Sequence, residues 1–480
     1  MVSLAARPAR APPTVLPDVA ALAVVTLAAF WARWHGIAAN PLWFDELLTW
    51  RRATQPPADL IADAFSGAHY PLYFLVVAGW VAAFGDAAAM LRAPSVLFGT
   101  LAVPVAFLVA RDLGGRWAGH AAALLTALAP FAVTYAQEAR PYALAMLLVQ
   151  IALAGQVRLA LRPGRGELGA WAAWVAGTAG ALITLKGSVL WLLASLVGFA
   201  AMRAGLGLRA RGRFDRAAWT AVGAVALVWL PWLAGMAGPF ATRVAGYWVP
   251  APSLVEVARG VGFAYLLGRL DPVAFHPFAE PIAPLGPVVL ILAVAGALVL
   301  RGSAGVLLVA AALLPPVLLL AAGLITPVFV PRYLFTGVPA ALVLAGVGAG
   351  ALFDRVRAVR PAAPALAGAL ALAGCAAGTA PGRPAAPGRP AAPGAEAAEG
   401  PLAAFARDAA PGQRGVVALA DGRAVPVTLL RGYAAASGRE CRLLRVEDVP
   451  GGRSELVCRD PDRGWASARP LLRGGAVGVR

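Results

Sequence analysis

Apolar residues along this chain come in long unbroken runs, not in the period of 2 or 3.6 that marks a half-buried strand or helix. Runs at 18–37, 94–110, 118–135, 142–160, 169–185, 188–204, 217–236, 284–300, 304–326, 334–352 and 362–378 predict eleven transmembrane helices. Each comes close to the ~20 residues a helix needs to cross a ~30 Å hydrocarbon core. A further run, 71–84, is apolar but short. As a helix it rises only ~21 Å, so it reads as a helix lying in the interface, opened by Pro71. The polar stretch 38–70 before it belongs with it to a first outer loop, 38–93, with juxtamembrane helices.

Charge fixes the direction of these spans. Basic residues outnumber acidic ones by 17. Arg7 and Arg10 precede the first run, which puts the N-terminus in the cytoplasm. With 71–84 lying flat, Arg111, Arg116, Arg158, Arg162 and Arg165 all face the cytoplasm. So do the cluster from Arg203 to Arg216, Arg301, and Arg355, Arg357 and Arg360. Were 71–84 a span, the first five would face outward, against the positive-inside rule. The excess charge is therefore topology, not a nucleic-acid surface. The hydrophobic fraction of 60% and charged fraction of 14% exclude an ordinary soluble chain, in which roughly 25% of residues are charged. The first run is long enough to span and no small-residue site closes it, so no cleavable leader is read there.

The fold class is thus an all-α polytopic membrane protein carrying a small C-terminal α/β domain outside the membrane. Residues 1–378 form the transmembrane domain. A Pro/Ala/Gly linker, 379–399, follows as a semi-rigid spacer. Residues 400–480 show helix signals at 402–409 and 426–436 and β-like runs at 416–419, 443–446 and 455–458. No catalytic constellation is legible there, and the unit reads as a capping or docking domain. Its two cysteines, Cys441 and Cys458, can pair if the tail lies outside. Cys375 follows an acylation-like Leu372-Ala373-Gly374, but inside a span, where chance accounts for the match.

On this topology the polar outliers gather on the outer face: Asp45, Glu46, His69, Tyr70, Glu138, Arg140, Lys186, Arg243, Tyr247, Trp248, Arg332 and Tyr333. Outward basic residues run against the positive-inside bias, and a bound phosphate explains them. Arg offers a planar fork to it and Lys a point charge. Asp45 sits between Trp43-Phe44 and Leu47-Leu48, where a carboxylate can serve as a base. Its bland alternative is an N-cap of the helix that follows. Glu46 reads as orienting its neighbours, and Arg92 as an interface anchor. His69 reads equally as a substrate contact or a headgroup-boundary residue. Tyr247-Trp248 reads equally as an aromatic belt. Arg332 follows Pro327 and Pro331, which break helix, so its backbone lines a cavity. No Walker loop, His/Cys metal spacing or Gly-rich dinucleotide turn is present.

Taken in order, Leu42-Trp43-Phe44-Asp45-Glu46, His69-Tyr70-Pro71-Leu72-Tyr73, Leu91-Arg92-Ala93-Pro94-Ser95, Gln137-Glu138-Ala139-Arg140-Pro141-Tyr142, Tyr247-Trp248-Val249-Pro250 and Pro331-Arg332-Tyr333-Leu334 resemble the C-type glycosyltransferases. The branch is that of the protein O-mannosyltransferases and lipid A aminoarabinose transferases, and the likeness covers about 18–350. It implies the C-type glycosyltransferase fold and transfer of a sugar from a polyprenyl-monophosphate donor to a hydroxyl outside the cytoplasmic membrane, with inversion. Asp45, with Glu46, would be the catalytic acid pair. Arg140, Arg332, Lys186 and Arg243 would bind the donor phosphate. His69, Tyr70, Tyr73, Glu138, Tyr142, Tyr247, Trp248 and Tyr333 would contact substrate. The usual His-Pro-Pro is His69-Tyr70-Pro71 here, and Tyr142 stands where aminoarabinose transferases carry an acid after Arg-Pro. The latter removes a possible metal ligand, so no cofactor is expected and cations stabilise the phosphate. The partners implied are the lipid-linked donor, an unidentified hydroxyl acceptor on protein, lipid or glycan, and the bilayer. The competing class is a lipid or glycan transporter. That class favours paired repeats and ionisable groups at mid-membrane, whereas the charges here sit at span ends.

Overall fold

The computed structural model describes residues 15–38, 42–66, 69–161, 167–244, 252–267, 282–324, 328–359, 400–410, 412–419, 423–434, 440–447, 453–460 and 464–467. The chain divides into two compact units, Met1–Pro364 and Ala365–Arg480.

The first unit is helical. Its elements are α1 (Val15–Trp34), α2 (Phe44–Ala53), α3 (Pro57–Ser66), α4 (Leu72–Phe84), α5 (Ala88–Leu128), α6 (Pro130–Ala136), α7 (Tyr142–Leu161), α8 (Glu167–Leu182), α9 (Val189–Ala204), α10 (Leu208–Val244), α11 (Leu254–Tyr265), α12 (Gly286–Val299), α13 (Gly302–Gly323) and α14 (Val338–Val359). Short 3-10 turns occupy Lys186–Ser188 and Pro331–Thr336. Among the described residues seven helices are long and apolar enough to cross a membrane, and α4, α8 and α12 are shorter apolar helices. Their outward faces show Leu27, Leu227, Ile291 and Leu313 more than half exposed, the inverse of a soluble surface. This is a multi-pass membrane protein.

Ten of the eleven expected spans correspond to helices, and 362–378 lies outside the described residues. One boundary is corrected. The expected span 118–135 is interrupted. Pro130 ends α5 and opens α6, because proline cannot donate to the preceding turn, while Gly115, at φ +84°, kinks α5 between the expected spans 94–110 and 118–135. The stretch 38–70 carries α2 and α3, in the loop expected to hold short helices.

Close helix contact rests on small residues, as expected where lipid removes the hydrophobic drive between helices. A Cβ on Gly296 would meet the Leu344 carbonyl, and one on Gly348 the Leu292 carbonyl, so α12 and α14 touch backbone to backbone. Interhelical hydrogen bonds add to this. Ser195 of α9 donates to Gln156 of α7 at 2.8 Å and accepts from Trp174 of α8 at 2.8 Å. At one set of helix ends, Asp18 meets Arg116 at 3.1 Å and His120 at 3.0 Å, and Asp112 meets Arg158 at 3.2 Å.

The second unit is an antiparallel meander: β1 (Arg414–Ala418), β2 (Ala424–Ala434), β3 (Glu440–Val446), β4 (Arg453–Asp460) and β5 (Gly464–Ser467), in sequential order. One helix, α15 (Pro401–Asp408), packs on it. The expected helix at 426–436 is a strand. Val425, Val427 and Leu429 are all buried, a period of two that the proline at 426 disguised as a helix start. Arg442 reaches from β3 to the end of α15 and donates to the Ala406, Arg407 and Ala409 carbonyls at 2.6, 3.0 and 2.9 Å. It thereby caps carbonyls that have no partner within the helix.

Candidate active site

The site begins at the first turn of α2. Trp43, not Asp45, is the N-cap residue, and Glu46 closes the capping box by accepting from the Trp43 N–H at 3.3 Å. The N-cap alternative for Asp45 therefore fails, which frees its side chain. Both acids lie in the first turn, where the helix dipole favours negative charge.

Glu46 is fully buried and its carboxylate is saturated. Arg92 grips it with both prongs, Nε to Oε1 at 2.8 Å and Nη2 to Oε2 at 2.6 Å. The Ala139 N–H donates to Oε1 at 2.8 Å. Arg92 is itself only 4% exposed and also donates to the Ile37 carbonyl at 2.6 Å. It is no interface anchor, as expected from sequence, but the counter-ion of the second acid. A lone charge inside an apolar run demands such a partner, and that was the available signal. Glu46 thus joins α2, the start of α5 and the turn at 137–141.

That turn carries Glu138 and Arg140, and it is held from several sides. Gln137 donates to the Ala32 and His35 carbonyls at 3.2 and 3.0 Å. Arg140 N–H donates to the Glu138 carbonyl at 2.8 Å. The Arg140 carbonyl accepts from Ser95 Oγ at 3.3 Å, and Ser95 shares a 2.9 Å hydrogen bond with Tyr73 Oη. Tyr73 is completely buried, so its hydroxyl braces this turn and is not presented to a ligand. Ser95 closes the Leu91–Ser95 motif, but the sequence assigns it no role because a serine in an apolar run carries no sign of its partners.

Asp45 is left facing two guanidiniums. Its Oδ2 lies 3.6 Å from Arg140 Nη2 and 3.8 Å from Arg332 Nη1, and its side chain keeps 21% exposure. Arg140 Nη1 also donates to the Asp45 carbonyl oxygen at 3.1 Å. The Nε–H groups of Arg140 and Arg332 are buried with no acceptor among the described residues. Both arginines therefore keep donor capacity for an oxyanion. Arg332 comes from the Pro331–Thr336 turn, where its guanidinium stacks 5.9 Å from the Tyr333 ring.

Glu138 is half-buried. Burial pushes its carboxyl up to about 8, and the Glu46 charge adds to this, against the pull of Arg140 and Arg332. Three acids and three arginines thus share this region, and each of the other two acids faces an arginine within 4 Å.

The remaining expected residues are placed as follows. Tyr142 is buried, its ring tilted against Tyr135 at 4.8 Å and edge-on to Phe335 at 6.2 Å. Tyr70 is buried and accepts from Trp229 Nε1 at 3.1 Å. His69 sets its ring edge-on to Phe74 at 5.8 Å. Lys186 stands in the 3-10 turn whose next residue, Gly187, packs against Phe335 of the Arg332 turn. Tyr247 and Trp248 lie outside the described residues, as does the Arg243 side chain. Among the described residues no group of three His, Cys, Asp or Glu could hold a metal ion.

The fold is shared with solved membrane proteins. The archaeal oligosaccharyltransferase AglB from Archaeoglobus fulgidus, in complex with an inhibitory peptide and a dolichol-phosphate, matches with a TM-score of 0.50 at 15% identity, over 75% of this chain and 54% of that one. ArnT from Cupriavidus metallidurans in the apo state matches with a TM-score of 0.48 at 19% identity, over 70% of this chain and 59% of that one. The aligned part is little more than half the length of each neighbour. In the second unit, residues 408–466 match the family model of the 17 kDa outer membrane surface antigen. No curated protein matches the chain.

Proposed function

From a chain with the C-type glycosyltransferase fold, we infer a membrane glycosyltransferase that moves a sugar from a polyprenyl-monophosphate donor to an acceptor hydroxyl, with inversion. The reaction takes place on the outer face of the cytoplasmic membrane, with the N-terminus inside and the C-terminal unit outside. The observation that carries this reading is Asp45 between Arg140 and Arg332. Such a site offers a carboxylate for a hydroxyl proton and cations for a leaving phosphate, the two needs of this reaction. The dolichol-phosphate bound by AglB is consistent with a lipid-phosphate donor on this fold.

In this reading Asp45 takes the acceptor's proton and the oxygen attacks the anomeric carbon opposite the phosphate, which gives inversion. Arg140 and Arg332 stabilise the charge gained by the departing phosphate, with Lys186 and Arg243 as further cations of the same face. Glu46 positions rather than reacts, since Arg92 and two backbone N–H groups occupy its oxygens. Tyr142, Tyr333, His69 and Tyr70 shape the substrate side, with Tyr247 and Trp248 on the outer loop.

The test is consumption of polyprenyl-phosphate mannose, arabinose and aminoarabinose by membranes carrying wild type or Asp45→Asn. Consumption of one donor by wild type, abolished by the substitution with the unfolding midpoint unchanged, supports both the class and the base. Equal consumption by both proteins removes Asp45 as the base. Consumption of none, with protein, lipid and glycan acceptors supplied, refutes the class.

A further inference from the structure

The mechanism above leaves one group of the site without a task. Glu46 is tied to Arg92 and Asp45 faces two guanidiniums, but the Glu138 carboxyl has no hydrogen-bond or ion-pair partner among the described residues. Its backbone is among the best-anchored in the site, fixed on either side by Gln137 and by the Ala139 N–H on Glu46. Its electrostatic neighbours come from every element packed around it: Asp45 and Glu46 of α2, Arg140 of its own turn, Arg332 of the Pro331–Thr336 turn, Tyr73 of α4, Tyr135 of α6 and Tyr142 of α7. A rigid, unpartnered carboxyl beside the two arginines offered to a phosphate poses a charge problem. Ionised, it would repel the phosphate that those arginines attract. Neutral, it is a hydrogen-bond donor within the same cluster.

We propose that Glu138 takes part in the reaction as a neutral carboxylic acid, contacting the donor phosphate and giving it a proton as the sugar leaves. The proposal rests on the glycosyltransferase reading above. The acceptor O–H bond breaks, its proton goes to Asp45, and the acceptor oxygen bonds to the anomeric carbon. The bond from that carbon to the phosphate oxygen breaks, and its electron pair stays on the oxygen, which takes the Glu138 proton. The lipid leaves as a monoanionic phosphate monoester. Asp45 is then protonated and Glu138 ionised, and passage of a proton from the first to the second restores the site. Burial, with the Glu46 charge beside it, pushes the Glu138 carboxyl up to about 8 and so favours its protonated form at neutral pH.

The test uses undecaprenyl phosphate as the probe and the full-length chain in detergent. If only neutral Glu138 accepts the phosphate, wild-type affinity falls by about tenfold between pH 7 and pH 9. Glu138→Gln keeps a neutral donor of the same shape, so it loses this fall and retains only the change due to the phosphate's own ionisation. Glu138→Asp keeps an ionisable acid and therefore keeps a fall, which guards against a folding artefact in the first variant. On a donor that wild type consumes, Glu138→Gln lowers kcat by about 100-fold or more at pH 7 with KM little changed. The same fall with pH in Glu138→Gln, or an unchanged kcat, overturns the role of Glu138 and leaves the glycosyltransferase reading standing. Failure of wild type to bind undecaprenyl phosphate at any pH overturns that reading, and the proposal with it.

Discussion

Replacing Arg92 with methionine would leave the Glu46 carboxylate buried without its counter-ion, and the size of the effect follows from what else holds that carboxylate. Breaking a buried ion pair from one side costs about 3–5 kcal/mol. Glu46 would retain the Ala139 and Trp43 N–H groups, which keeps the cost toward the lower end of that range. The Ile37 carbonyl would lose its charged donor as well, adding ~1 kcal/mol or more. A total of about 4 kcal/mol is expected, read as the shift in denaturant midpoint multiplied by the slope in detergent. Glu46→Gln alone also destabilises, because it leaves Arg92 buried and charged. The double variant Arg92→Met with Glu46→Gln should lose at least ~2 kcal/mol less than the sum of the two, since neither charge is then stranded. Donor consumption should fall in Arg92→Met even where the protein is folded, because Arg92 fixes the position of the carboxylate to which the Ala139 N–H, and hence the turn that carries Arg140, is tied. A loss under ~1 kcal/mol, or strict additivity in the double variant, would refute the claim that this pair organises the site.

Other expectations come from the packing and from the second unit. Gly348→Val would drive a side chain into the Leu292 carbonyl and so separate α12 from α14, whereas Gly79→Ala meets nothing within 4 Å. Detergent extraction followed by size-exclusion chromatography should show loss of the folded peak for the first and none for the second. Cys441 and Cys458 stand directly opposite in the β3–β4 register. Opposed residues of an antiparallel pair have Cα atoms about 4.5–5.5 Å apart, within disulfide reach. Alkylation and mass measurement of protein extracted from the membrane without reductant should find one reactive thiol before reduction and three after it. Three before reduction would rule out the bridge.

What could be read from sequence, and what could not, divides along physical lines. Spans are legible because a bilayer demands ~20 apolar residues whatever the neighbours. The helix at 72–84 was likewise readable from its length, and Asp45, Arg140 and Arg332 from polar residues set against an apolar background. Partnerships between distant segments were not readable. That Glu46 rather than Asp45 caps α2 and takes Arg92 depends on the placement of α5, and sequence spacing carries no trace of it. In the meander, Pro426 imitates a helix start, and only pairing with β1 and β3 exposes the alternation of Val425, Val427 and Leu429.

The charge balance of the cluster ties these pieces together. Arg92, Arg140 and Arg332 face Glu46 and Asp45, and with Glu138 neutral the three guanidiniums exceed the two carboxylates by one. A polyprenyl-phosphate sugar is a phosphodiester with one negative charge, so the site as folded complements its proposed donor. Ionisation of Glu138 would cancel that surplus, and the arginines would then have no excess charge to offer. The same carboxyl would therefore govern both attraction of the donor and departure of the product. Its substitution by glutamine should flatten the pH response of lipid-phosphate binding while Asp45→Asn leaves that response in place. If instead both substitutions flatten it, the titrating unit is the acid cluster as a whole, and no single proton can be assigned to Glu138.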